Sequence, residues 1–525
     1  MTRSCTRSRL AAWLAAGVAA GVTALVSELV ANAYQLGPLD DAFISLRYAA
    51  HWAAGRGLCF NPGEKVEGYS NFLLVLLEAA AIRSGVDPVL ALTLIGRAAL
   101  AGLAALLAAF SFRHVFPGHV LLAITVGSLI GSQPMLICWA HSGLEGSLHT
   151  LLVLGALAAA LEGAAAGVIL SAACLVLAAM TRLETIAVFP VIALVIYWQT
   201  RSPRLTLLHL AVVILGFGAY FGARAAHFGY LFPNTFYAKL DYGSAGLAQR
   251  GALYVGDFLL GSLPVTVLAL LACVLVRRAP WWVRGCLLLA AAELLGVVYV
   301  GGDHFAMFRF LAPVVPFLAL AALYPAIALL NRDTVRRSVQ AAAVTVSLAA
   351  LVASGLLVGR QGKRDEPHLR SQFAGHVFGC KLAREWELAG RWLKEHTRPA
   401  ATIATVAIGA VGFCSDRTIV DPHGIVDATI AHQRQELGRG LSGHEKYDVD
   451  QVLARRPDYI LLIHYLTPAP IAPEQVAQAA WGDFNQDLVR RPELAHGYRY
   501  QSVQCGQRYL NLFVRRDLPA LDVRP

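Results

Sequence analysis

Leu39-Asp40-Asp41-Ala42-Phe43-Ile44-Ser45-Leu46-Arg47-Tyr48 sets two adjacent carboxylates at the head of a short amphipathic segment, between apolar runs at 10–33 and 89–112. Either run is long enough to cross a hydrocarbon core of about 30 Å. The spacing predicts a helix on which 43, 46 and 50 share an apolar side. Its acids lie at the N-terminal end, where the helix dipole favours the ionised form. A simple N-cap by Asp40 is the plainest role for such a residue. A carboxylate at a membrane surface can also act as a general base toward a hydroxyl or bind a divalent cation.

Outward from this loop the chain is membrane-like. It is 57% hydrophobic and only 15% charged, with a mean hydropathy of +0.55, which soluble enzymes of 525 residues do not show. The net charge of +10 does not mark a nucleic-acid binder, because the arginines lie in short loops between apolar blocks rather than along one face. Short basic loops stay in the cytoplasm, which puts the N-terminal arginines, Arg113, 201–204, 277–284 and 332–337 inside. About eleven spans follow, near 10–33, 89–112, 119–140, 146–161, 164–181, 185–199, 205–225, 256–276, 283–301, 310–330 and 338–359. Parity then requires that 71–82 not cross. Twelve residues give about 18 Å of helix, too short to span, so this segment should lie in the membrane plane. Arg3, Arg7 and Arg9 before an apolar run ending Ala31-Asn32-Ala33 also resemble a secretory signal, but the run suits a spanning helix better.

The expected fold is therefore mainly α, a polytopic bundle over 1–359 with a first outer loop at 34–88. An extracytoplasmic α/β domain over 360–525 completes it, with a helix near 381–396 and strand-like runs at 402–407 and 459–463. On this topology Asp40, Asp41, Glu67, His141, Glu145, Arg182, Glu184, Asn234, Lys239, Asp303, His304 and Arg309 all fall on the outer side. Ionisable groups so near a bilayer are costly unless paired or wet, so their concentration on one side points to a site.

Six ordered blocks carry a resemblance: 39–48; Phe60 to Asn71; Ser142-Gly143-Leu144-Glu145; Thr181-Arg182-Leu183-Glu184; Phe232-Pro233-Asn234-Thr235-Phe236-Tyr237-Ala238-Lys239; and Gly301-Gly302-Asp303-His304 with Arg309. Together they resemble the C-type superfamily of membrane glycosyltransferases that use polyprenyl-phosphate sugar donors, and within it the bacterial branch of terminal arabinofuranosyltransferases. Leu183 stands where such proteins often carry proline. The resemblance implies transfer of a monosaccharide, arabinofuranose or a hexose, to a cell-envelope glycan or lipid-linked acceptor, with inversion. It implies a catalytic role for Asp40 as base, with Asp41 orienting the acceptor or sharing the role. Arg182, Lys239, His304 and Arg309 would then hold the donor phosphate, and Glu67, Tyr69, Asn71, Glu145, Asn234 and Asp303 would contact substrate.

Each residue also has an ordinary reading: Lys239 can snorkel to headgroups, Arg182 can pair with Glu184, and Asn234 can simply make a turn. No cofactor is required; Glu67 with the acid pair could hold a divalent cation, although Arg and Lys make one unnecessary. The partners expected are the polyprenyl-phosphate donor, the acceptor and membrane lipid, with no nucleic acid. The expected location is the bacterial plasma membrane, N-terminus cytoplasmic and C-terminal domain outside. A transporter or flippase, or a non-catalytic envelope-assembly protein, is the alternative. His423, Asp427, His444 and Asp448 read as solvated surface, and Cys59, Cys380, Cys414 and Cys505 could form a disulfide if outside the cytoplasm.

Overall fold

The computed structural model describes residues 2–240, 245–332, 334–364, 369–438, 440–462, 465–478 and 482–521. The chain forms two compact units, one of residues 1–37, 93–223 and 248–377, the other of 38–92, 224–247 and 378–525. The division cuts across the boundary expected at 359. The loop at 38–92 and the C-terminal region from 378 belong to one unit.

The first unit is a helix bundle of a multi-pass membrane protein. Among the described residues of the whole chain, six helices are long and apolar enough to cross a membrane: Arg9–Tyr34, Pro88–Val115, Leu183–Thr200, Pro203–Phe228, Trp281–Val300 and Arg337–Arg360. Two bent pairs raise that number to as many as eight, and Gly146–Ala160, Ala165–Ala179 and Val314–Leu330 are shorter apolar helices. The eleven expected segments coincide with these helices, but length supports only six to eight crossings. Two segments expected as single spans are broken. Val120–Gly131 and Pro134–His141 meet at 59°, and Gly246–Gly261 and Leu263–Val274 at 98°. A proline opens the second arm of each, Pro134 and Pro264, where a missing N–H costs nothing. At the first break, the Gln133 side-chain amide donates to the Leu129 carbonyl at 3.1 Å, satisfying backbone freed by the bend, and to Leu351 O of the Arg337–Arg360 helix at 3.0 Å.

The second unit is built on a six-stranded mixed sheet. Its strands are β1 (Thr402–Thr405), β2 (Thr418–Val420), β3 (Tyr459–Leu461), β4 (Leu466–Thr467), β5 (Tyr498–Cys505) and β6 (Arg508–Arg515). The order is β2-β1-β3-β6-β4, with β5 also on β6; β1 is parallel to β2 and β3, and β6 is antiparallel to its neighbours. Residue 463 of the run expected at 459–463 lies outside the described residues. Side chains alternate between two cores, as strand geometry requires. Ile403, Ile419, Leu461 and Leu512 face a core that holds Tyr48, Phe60, Tyr69 and Val411. Ala404, Val420, Ile460 and Phe513 face another with Val452, Phe484 and Leu488. One side of the sheet is thus roofed by the acidic loop.

That roofing explains why the Asp40–Ala53 helix is not a simple surface helix. Residues 42–49 are all buried, including Arg47, rather than only the stripe at 43, 46 and 50. Phe72–Arg83 is a helix of 12 residues, too short to span. Cys59, Cys380, Cys414 and Cys505 are free thiols, so the disulfide does not form.

Candidate functional site

Leu39, not Asp40, is the N-cap of the acidic helix, and Asp40 is its first residue. Released from capping, the Asp40 carboxylate turns to the Ile408–Ser415 helix. It accepts the Gly409 N–H at 3.1 Å on Oδ2 and the Ala410 N–H at 2.8 Å on Oδ1. Both amides lie in a first helical turn, where N–H groups lack intrahelical partners and the dipole favours an anion. The two backbones nearly touch. A Cβ on Gly409 would fall 1.9 Å from the Asp40 carbonyl oxygen, so only glycine fits. Burial pushes the Asp40 carboxyl up to about 7, an effect larger than the lowering by its amide donors and reinforced by Asp41. The helix dipole does not keep this acid fully ionised as the sequence suggested. Asp41 follows it, half-buried, in the same turn.

Around the pair, the loop is tied to the sheet domain by groups that sequence reasoning did not single out. Arg47 donates to the carbonyls of Phe60 at 2.7 Å, Arg417 at 2.7 Å and Gly412, and lies 4.5 Å over the Phe60 ring. Asn61 pairs with β2 like a strand residue, donating to Ile419 O at 2.9 Å and accepting its N–H at 3.0 Å. Glu67 and Arg224 form a buried bidentate pair, Nε to Oε2 at 2.9 Å and to Oε1 at 3.2 Å. The Glu67 carbonyl accepts the Asn234 N–H at 2.9 Å, and the Asn234 side chain donates to Gly424 O at 2.6 Å and Ile425 O at 3.0 Å. Asn71 accepts from Ser45 Oγ at 2.8 Å, and Tyr69 is buried edge-on to Tyr48 at 4.8 Å. These four expected substrate contacts are all engaged within the unit. Lys239 ends the Asn234–Lys239 helix beside Gly443.

His423 and Asp427 are buried rather than solvated. The His423 ring bonds Lys446 O at 2.7 Å, and burial lowers it to about 4. Asp427 caps the Ala428–Ala431 helix and pairs with Arg455 at 2.5 Å. Asp448 likewise caps Val449–Ala454, and His444 is half-buried.

In the bundle unit, six of the residues expected on the outer side come together around Phe310. Arg182 donates to Glu184 at 2.7 Å and pairs with Glu145 at 3.5 Å. Arg309 pairs with Asp303 at 2.6 Å, and the Asp303 carboxylate also lies 3.4 Å from His304 Nδ1. The two buried guanidiniums sit 4.5 and 4.9 Å from the Phe310 ring. Behind Arg182, His149 bridges Thr181 at 3.1 Å and Glu293 at 3.5 Å, and Glu293 lines a small cavity with Arg182, Glu184 and Phe310. Sequence reasoning missed His149 and Glu293, whose signal was an ionisable residue inside an apolar helix. Among the described residues, no three His, Cys, Asp or Glu side chains converge on a metal position.

These features define a multi-pass helical membrane protein whose first loop is folded into a mixed α/β domain. Its fold is that of ArnT from Cupriavidus metallidurans: the structure bound to undecaprenyl phosphate aligns over 99% of this chain and 98% of that one, with a TM-score of 0.57 at 12% identity. The apo ArnT structure aligns over 91% and 93%, at a TM-score of 0.55 and 14% identity. The apo oligosaccharyltransferase of Archaeoglobus fulgidus aligns over 96% of this chain and 75% of its own, at a TM-score of 0.50 and 13% identity. Residues 380–513 match a family described as "Domain of unknown function (DUF8728)". No curated protein matches the sequence.

Proposed function

We propose that the chain is a membrane glycosyltransferase of the C-type superfamily, acting on the outer face of the bacterial plasma membrane with its N-terminus in the cytoplasm. It moves one sugar, with arabinofuranose the first candidate and a hexose the second, from a polyprenyl-phosphate donor to an envelope glycan or lipid-linked acceptor. The observation that carries the reading is Asp40, a half-buried carboxyl beside a second acid, aligned by two backbone amides and pushed up to about 7 by desolvation. A base with that value is half ionised near neutral pH and strong enough to assist a hydroxyl. The fold shared with ArnT and the oligosaccharyltransferase supports the same class of reaction.

In the step proposed, an acceptor oxygen attacks the anomeric carbon from the face opposite the phosphate, which inverts that centre. The hydroxyl proton passes to Asp40, Asp41 orienting the acceptor. The bond from the anomeric carbon to the phosphate oxygen breaks, and its electron pair leaves with the lipid phosphate. By the sequence resemblance, the positive charge for that leaving group is assigned to Arg182, Lys239, His304 and Arg309. The aromatic wall of Phe305 and Phe310 keeps the guanidiniums stacked and planar.

The test is transfer of radiolabelled sugar from a panel of polyprenyl-phosphate sugars to envelope acceptor, in membranes carrying the native chain or Asp40→Asn. Activity with one donor that disappears in the inserted variant supports the reading and names the sugar. Full activity of Asp40→Asn would move the base to Asp41.

A further inference from the structure

We infer that Gly409 and Ala410 are positioning residues for Asp40: their backbone amides hold the acid's carboxylate in place, so the C-terminal domain takes part in the transfer site. The inference rests on the proposed function for its meaning, but its geometry stands within one compact unit. Between parallel β1 and β2 the chain makes a single helix, Ile408–Ser415, and so forms a β-α-β unit. In such units the helix N-terminus, outside the carboxyl end of the first strand, is where anions bind. Here the anion is the protein's own. Asp40 fills the position that a phosphate would take, with one amide on each oxygen.

Two further observations make the contact a built one. The helices approach so closely that Gly409 has no room for a methyl group, and a Cβ on Gly412, one turn on, would lie 3.0 Å from both Arg47 Nη1 and Phe60 Cζ. Arg47 and Asn61 then tie the middle of the Ile408–Ser415 helix and the strand that follows it to the loop, through Gly412 O and Ile419 of β2. A carboxylate held by uncharged donors keeps lone pairs for a substrate proton and has its plane fixed. A cation in the same place would hold it too, but would also weaken it as a base. Among the described residues, the titratable groups facing Asp40 are Asp41 on its own helix and the buried Tyr465 ahead of β4; Tyr465 in turn faces Glu385, which pairs with Arg508 at 2.8 Å. None of the three is cationic.

The experiment uses the full-length protein in lipid nanodiscs and reads the protonation of Asp40 directly, by carbodiimide labelling against pH with peptide mass spectrometry. The native protein should label Asp40 with a midpoint near 7. Gly409→Ala forces the helices apart, and because burial is the largest cause of the raised value, the midpoint should fall by at least about one unit. In the transfer assay kcat should fall at least about tenfold with donor KM within about twofold, the pattern of a lost transition-state group. Val452→Ala, which weakens the far core of the sheet, should leave midpoint and kcat unchanged. Should Gly409→Ala not insert, hydrogen exchange at the Gly409 and Ala410 amides decides: slow in the native protein and fast in Asp40→Ala. Equal shifts in Gly409→Ala and Val452→Ala, or amides whose exchange ignores Asp40, would each overturn the inference. A native protein that labels as expected yet transfers no sugar would sink the transferase reading and leave the contact standing.

Discussion

Arg224→Met tests whether Glu67 serves the fold or the substrate. Both side chains are buried, at 6% and 3% exposure, and the guanidinium also donates to Leu231 O at 2.5 Å. Removing one partner leaves a carboxylate out of water with no counter-charge, which costs about 3–5 kcal/mol. The pH dependence has a definite sign. Burial already raises the Glu67 carboxyl and Arg224 opposes that rise, so losing Arg224 raises it further. A folded value above the unfolded one gives stability that is present at low pH and lost as pH rises through it. The variant should therefore lie closest to the native protein near pH 5 and fall away toward pH 8. Glu67→Gln placed on Arg224→Met removes the stranded charge and should recover most of the loss, and that recovery is the coupling a double-mutant cycle measures. Thermal unfolding in detergent, followed by loss of monodisperse protein, reads all four corners. If Glu67→Gln alone left stability within about 0.5 kcal/mol yet abolished transfer, the structural role would be refuted and a substrate contact restored.

The acidic limb of kcat/KM should bend near pH 7 and fall about tenfold per unit below it, because the base must be ionised and burial has raised its value; a pH series on the native protein checks this. Arg182→Lys keeps a charge but loses the planar fork and the stacking on Phe310, so kcat should drop about 10²-fold in single-donor assays with expression unchanged. Chelation by EDTA should leave transfer intact, since Arg224 engages Glu67, the third ligand a cation would need beside the acid pair.

The sequence disclosed what depends on composition and period. The apolar segments, the helix expected near 381–396 and found at Gln372–His396, two sheet strands and the acid pair all leave local marks, because hydrophobic length and alternation are written in neighbouring residues. Partners were not legible. Arg47 meets Gly412 across 365 positions and Asn61 meets Ile419 across 358, and no spacing rule reaches that far. Glu67, Asn71 and Asn234 therefore looked like loose polar loop residues fit for substrate, when each closes a buried bond. The two bends were half visible, as Pro134 and Pro264, but a proline marks a break without giving its angle. The unit boundary was hidden for a related reason: the loop at 38–92 reads as part of a membrane bundle until the sheet that covers it is known.

Why the acid is housed against a soluble-type sheet domain follows from what each environment does to a carboxyl. Bare burial would raise it until it stayed protonated at neutral pH and could accept nothing; a paired guanidinium would depress it until it hardly competed for a hydroxyl proton. Backbone amides at a helix start lie between these limits, offering partial charge at fixed positions with no side-chain freedom to lose. Asp40 has burial on one side of the balance and Gly409 and Ala410 on the other, and it comes to rest near 7. Arg47 is close in sequence but spends its donors on Phe60, Gly412 and Arg417 carbonyls, so it secures the helix that holds the acid without pairing with the acid itself. In the proposed transfer, the glycine that lets those amides approach is thus tied to the chemistry as closely as the carboxylate they hold.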